Sequence, residues 1–266
     1  MSYFKSGIRS EFLTNVLDFT SPTLICGFPG TGSVGKMVAD HLIHELKPIH
    51  LADVFCTSFP SSVMVNSEGI VDLPRSSLYY LKLGDLKLKD FIFLTGDAQP
   101  MNSESGYLLA EEILNIAKKF QASHIVTLGA YTVGAFSIEP KVYFAATHRE
   151  AFESLAGKNV IRLSEGNVTG MNGLILGIGK LFKMQGICLL GETSGYVIDA
   201  IASKNILRIL MEITGLKVDM QDIENKAKET EKLIRTIEQQ VVNKMISPGQ
   251  SGEQVAKKQS NTPYIS

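Results

Sequence analysis

The chain is 266 residues long, 44% hydrophobic and 20% charged, with 26 Lys and Arg against 27 Asp and Glu. That length can bury a sizeable core in one α/β domain. A net charge of -1 supplies neither the basic face that binds nucleic acid nor a polybasic patch for a membrane surface.

From Met1 to Thr20, charged residues are mixed among the apolar ones, which does not read as a secretory leader. Thr23 to Cys26 is a short apolar run, the pattern of a buried strand, and it ends in a glycine loop. A helical pattern follows from Val34 to about Leu46, then a strand from Ile49 to Cys56. Between Ser62 and Leu83, strand-like alternation around Ser67-Glu68-Gly69, broken at Pro74, predicts an antiparallel hairpin inserted in the frame. Phe91 to Leu94 is a buried strand. Ser103 to Phe120 is an amphipathic helix with Ser103 as its N-cap. His124 to Leu128 and Lys141 to Ala146 are further strands. The apolar stretch from Met171 to Leu190 is interrupted by Lys180 and Lys183, so it reads as a helix and a buried strand, not a membrane span. A last helix of this frame runs from about Asp199 to Ile213. Alternating strands and helices of this kind predict a mainly parallel sheet covered by helices.

From Asp219 to Met245 there is neither glycine nor proline. Ile223, Ala227, Thr230, Ile234, Ile237 and Val241 recur at steps of four and three, a heptad seam. Such a seam serves equally an amphipathic helix lying on its own domain or a helix that pairs with a second copy. The organisation expected is one domain over 1–246, including the helix 219–245, followed by a flexible tail over 247–266 that ends in Pro263-Tyr264-Ile265-Ser266.

The loop Gly27-Phe28-Pro29-Gly30-Thr31-Gly32-Ser33-Val34-Gly35-Lys36 opens a helix, a position where backbone amides can receive an anion. Gly30, Gly32 and Gly35 satisfy GxGxxG, with Asp53 at roughly the spacing of the ribose-binding acid but inside a strand. Gly30 to Lys36 also fits a P-loop, except that Met37 stands where magnesium needs a hydroxyl. The third reading is structural: small residues let helix and strand approach. His41 and His44 share a helix face, too few ligands for a metal centre, so no metal and no cofactor is expected. Cys26, Cys56 and Cys188 lie in apolar runs without a CxxC pair and read as buried thiols of a reducing cytoplasm. Glu192-Thr193-Ser194 sits at another strand end without a base to serve it. A crevice is therefore expected along one sheet edge, gathering Gly30, Gly32, Ser33, Gly35, Asp97, Gln99, Glu192 and Thr193.

The motifs Phe28 to Gly35, Gly96-Asp97-Ala98-Gln99-Pro100, and Gly191-Glu192-Thr193-Ser194-Gly195-Tyr196 with Asp199, in this order and with Gly170-Met171-Asn172-Gly173 between the last two, resemble the archaeal branch of the proteasome assembly chaperone family. The resemblance spans about Pro22 to Asp222. It implies a nucleoside-phosphorylase-like three-layer α/β sandwich with a mixed, mostly parallel sheet. It also implies a non-enzymatic, homo-oligomeric chaperone or adaptor whose partners are proteasome α-subunits or the core particle. Some members are similar in docking through a C-terminal hydrophobic-Tyr-X tail. Here Tyr264 is third from the end, one residue out of that register. On this reading Pro263, Tyr264, Ile265 and Ser266 bind the partner, while Ile223, Ala227, Ile234, Ile237 and Val241 bind a second copy. The alternative is a protein that binds a nucleoside or phosphate, or an enzyme acting on one, with the glycine loop 27–36.

Overall fold

The computed structural model describes residues 4, 6–14, 21–83 and 89–246, with side chains described as far as residue 240. Eleven strands form among them: β1 (Ile8–Phe12), β2 (Thr23–Gly27), β3 (Ile49–Cys56), β4 (Met64–Val65), β5 (Val71–Asp72), β6 (Ser76–Leu81), β7 (Phe91–Gly96), β8 (His124–Thr132), β9 (Val142–Ala146), β10 (Ile161–Arg162) and β11 (Gln185–Thr193). The helices are α1 (Val34–Leu46), α2 (Ser103–Lys119), α3 (Gly170–Leu181), α4 (Ala200–Thr214) and α5 (Gln221–Ile246), with short 3-10 turns at Thr31–Ser33 and Arg149–Leu155.

Nine strands form one mixed sheet in the order β1-β3-β6-β7-β2-β8-β11-β9-β10. Its centre, β7-β2-β8-β11, is parallel. β1, β3 and β6 join antiparallel on one side, and β9 on the other. The central strands are buried on both faces, which is why they read as unbroken apolar runs. On β2, Leu24 and Cys26 enter a core with α2 and α3, whereas Ile25 enters the opposite core with α1 and α4. The period of two thus divides each strand between the two helical layers.

The structure amends the expected elements where pairing or capping decides. The inserted hairpin is only the ribbon β4-β5, while β6, beyond Pro74, belongs to the main sheet. β8 and β11 pair with each other over nine positions, extending both past their apolar runs. The N-cap of α2 is Asn102, whose side chain accepts from Ser105 N at 2.9 Å, so Ser103 is the first helical residue instead. Asp199 caps α4 by accepting from Ala202 N at 2.9 Å. Along α5, Ile223, Ala227, Thr230 and Ile234 are buried within the chain, Ala227 and Ile234 beside Ala200 and Ile201 of α4. Of the two partners that the seam could serve, Ile223, Ala227 and Ile234 thus meet their own domain here. Ile237 is half-buried, and the side chain of Val241 lies outside the described residues.

Candidate functional site

The glycine loop folds by close approach. A Cβ at Gly35 would stand 1.9 Å from Leu128 O, so the first turn of α1 lies directly on the backbone of β8. That contact brings the loop to the carboxyl ends of β2 and β8, where wound sheets form their crevices. A cavity of about 400 Å³ opens there, lined by Gly30, Thr31, Gly35, Gln99, Gly129, Tyr131, Thr132, Asn167, Gly170 and Asn172 among others.

Two carboxamides build its walls. Gln99 Nε2 donates to Pro29 O at 2.6 Å, and Gln99 Oε1 accepts from Met171 N at 2.9 Å. Gln99 therefore staples the glycine loop to the first turn of α3. Gly170 has φ +68 and carries no Cβ, which would stand 2.5 Å from Gln99 Oε1. Asn172 Nδ2 donates to Leu128 O at 2.7 Å, while its Oδ1 is buried without a hydrogen-bond partner among the described residues. The polar groups of the cavity are backbone amides, carboxamides, hydroxyls and the Tyr131 phenol: groups suited to holding a ligand.

Of the expected crevice residues, Gly30, Gly35 and Gln99 line this cavity; the other five do not. Ser33 borders a different depression, with Lys36, Asp40 and His41. Gly32 O accepts from Asp199 N at 2.9 Å, tying the loop to α4. Asp97 accepts from Arg75 N at 3.1 Å and fastens β6 to β7. Glu192 accepts from Tyr143 OH at 3.3 Å. Desolvation, then the Glu192 carboxylate, push the Tyr143 phenol above its usual range, keeping it a donor. Thr193 Oγ1 accepts from Gly195 N at 3.3 Å within a turn. Hydrogen bonding thus directs these side chains into the framework. Thr132, Asn167 and Asn172 line the cavity as well, and of these the Gly170 to Gly173 motif signals only Asn172 in the sequence.

The nucleotide readings lose their key side chains. Asp53 is buried, accepting from His50 Nε2 at 2.8 Å and Ser77 Oγ at 2.6 Å, with no reach toward the loop. Lys36 Nζ pairs with Asp40 at 3.0 Å and bonds Thr95 Oγ1 at 3.2 Å. His41 is buried and donates from Nε2 to Asp219 O at 2.7 Å, holding the approach to α5 against α1. Among the described residues no cluster of three or more His, Cys, Asp or Glu could hold a metal ion, and no helix is long and apolar enough to cross a membrane. The expected docking residues Pro263, Tyr264, Ile265 and Ser266 lie outside the described residues.

Residues 24–238 match the model of the PAC2 family. An uncharacterized protein of Methanocaldococcus jannaschii is 35% identical over 215 residues, which cover 80% of this chain and 82% of that protein. Among solved structures, PbaB of Pyrococcus furiosus, an archaeal proteasome activator, is similar with a TM-score of 0.82 and 36% identity, over 88% of this chain and all of that one (100%). PbaA of Pyrococcus furiosus, an archaeal homolog of proteasome-assembly chaperone, shares the fold with a TM-score of 0.71 and 24% identity, over 89% of this chain and 94% of that one.

Proposed function

We propose, from the premise that this chain belongs to the PAC2 family, that it is a non-enzymatic assembly chaperone or adaptor of the proteasome core particle. It acts in the cytoplasm as a homo-oligomer, binds α-subunits, and engages them partly through Pro263, Tyr264, Ile265 and Ser266. The observation that carries this reading is the likeness to PbaB along that protein's whole length, at 36% identity. The neutral lining of the cavity agrees with a binding role. α5 agrees as well: it is held by its own domain as far as Ile234, and the docking segment follows it in the chain.

The test is co-purification of the chain with isolated α-subunit rings and with assembled core particles, with and without residues 262–266. Binding that disappears on truncation is the expected result. Binding that survives truncation removes the tail from the mechanism. No binding to either particle overturns the reading.

The unpaired Asn172 Oδ1 beside the cavity favours a second reading, a small ligand such as a nucleoside or phosphate held by the glycine loop and Gln99. A rise in melting temperature with millimolar nucleoside or inorganic phosphate would support it. No rise would count against it.

A further inference from the structure

Another cavity, of about 320 Å³, opens at the opposite edge of the sheet, where Thr23, Phe91, His124 and Gln185 begin the central strands β2, β7, β8 and β11. Its volume is at the small end of ligand cavities, which run from roughly 300 to 1,000 Å³. Phe91, Val126 and Ile187 supply apolar wall from three of those strands. The end of α4, at Ile213 and Thr214, and the turn Arg149–Leu155 complete the lining, both packed against β11.

Two of its hydroxyls are already engaged: Ser154 Oγ donates to Ala151 O at 2.8 Å, and Thr214 Oγ1 donates to Leu210 O at 2.6 Å. The ionic groups are not neutralised. Lys89 Nζ donates to His124 Nδ1 at 3.1 Å and has no carboxylate partner among the described residues. Because an ammonium only donates, Nδ1 accepts, and the imidazole carries its proton on Nε2. Burial and then that ammonium hold the ring below the usual histidine range, so it stays neutral. Glu150 lines the same cavity, and among the described residues it pairs neither with Lys89 nor with any other cation.

The sheet order separates the two charges. Lys89 precedes β7 and reaches the start of β8, whereas Glu150 belongs to the turn packed on β11 and β9. Lys158, just beyond that turn, pairs with Glu212 of α4 at 3.3 Å and ties the turn to the end of the helix. The partial negative charge of the α4 carboxyl end therefore lies on the Glu150 side, with no basic residue in its last turn. An apolar cavity with one positive and one negative wall is complementary to a ligand that carries both charges on an apolar body. An anion alone would leave Glu150 unmatched, and a cation alone would leave Lys89 so. The terminus of a protein chain carries one of the two charges, whereas a small amino acid carries both. We propose that this cavity binds a free zwitterionic amino acid with an aliphatic body, its carboxylate on Lys89, its ammonium on Glu150 and its carbon chain on Phe91, Val126 and Ile187. The site is separate from the glycine-loop crevice and does not depend on the client.

The test is calorimetric titration of the full chain, with the His124 ring signals followed by NMR. Leucine and ε-aminocaproate, which hold their charges at different spacings, are added to about 10 mM beside their singly charged counterparts, isocaproate, caproate, isoamylamine and hexylamine. At least one amino acid is expected to bind about fivefold more tightly than either of its counterparts and to shift the His124 signals. Lys89→Ala should weaken that amino acid about fivefold and leave the amine unchanged; Glu150→Gln should weaken it as much and leave the carboxylate unchanged. Lys89 and Glu150 are both exposed, so circular dichroism should match the parent in each variant. If neither amino acid binds, or if binding leaves the His124 signals in place, the site is overturned. A singly charged counterpart that binds as tightly overturns the zwitterion as its ligand.

Discussion

Replacing Gly35 by alanine tests whether the glycine loop exists to seat α1 on β8. The new Cβ would lie 1.9 Å from Leu128 O, where real Cβ contacts stay beyond 3.0 Å. Neither atom is the end of a flexible side chain, so α1 must retreat by about 1 Å or more, loosening Val34, Val38 and Leu42 in their core. Forced overpacking of this kind costs roughly 3 kcal/mol, the upper end of its usual range. For a domain of this size that lowers the melting temperature by about 6–12 °C. Gly177 is the internal control. It lies within α3 with open space at its Cβ position, so Gly177→Ala should stabilise the helix by about 0.5–1 kcal/mol. Calorimetric melts of both variants decide the matter. If Gly35→Ala melts within about 2 °C of the parent, or if Gly177→Ala falls as far as Gly35→Ala, the packing account of the loop is wrong.

Asn102→Ala should cost about 1–2 kcal/mol, because it removes the α2 cap and the donor to Ser58 Oγ at 2.8 Å; Asn102→Asp should recover part of this in the same melts. His124 is held below the usual histidine range by burial and then by the Lys89 ammonium, 3.1 Å from Nδ1. With the folded value depressed, the unfolded chain binds the proton first. Stability is therefore complete above the ordinary histidine range and lost as pH falls through the folded value, and Lys89→Ala should raise that value in an NMR titration. Burial pushes the Cys188 thiol up to about 12 and Cys26 higher still, and Cys56 is buried too. At pH 8 a thiol reagent should label the three only after denaturant is added; rapid labelling of Cys188 in the folded protein would contradict its place in the core.

The central strands were legible because burial on two faces leaves an unbroken apolar signature, as in Phe91 to Leu94. The edges were not. β1 reads Ile-Arg-Ser-Glu-Phe, with Arg9 bonded to Glu11 at 2.8 Å and Ser10 reaching Glu112 at 2.5 Å, and nothing local distinguishes it from a polar loop. β10 is two residues long, and both are exposed. At the site, topology alone predicts which loops meet at the carboxyl edge, so Gly30, Gly35 and Gln99 could be placed. It does not predict where a side chain turns: Asp97 and Glu192 stand on the right edge but are engaged by Arg75 and Tyr143. Asn172 depends on distant contacts. Gly173 leaves room for Val168 O, 1.9 Å from where its Cβ would be, and only then does the start of α3 reach Leu128.

The heptad of α5 shows why period does not identify the partner. Steps of four and three place Ile223, Ala227, Thr230 and Ile234 on one stripe whether that stripe meets α4 or a second copy. The choice is made elsewhere, by His41 holding Asp219 and by Thr230 Oγ1 reaching Ile198 O at 3.5 Å, contacts that set the start of the helix against its own domain. Once the seam is buried there, that part of the helix has no matching apolar stripe to offer a second copy.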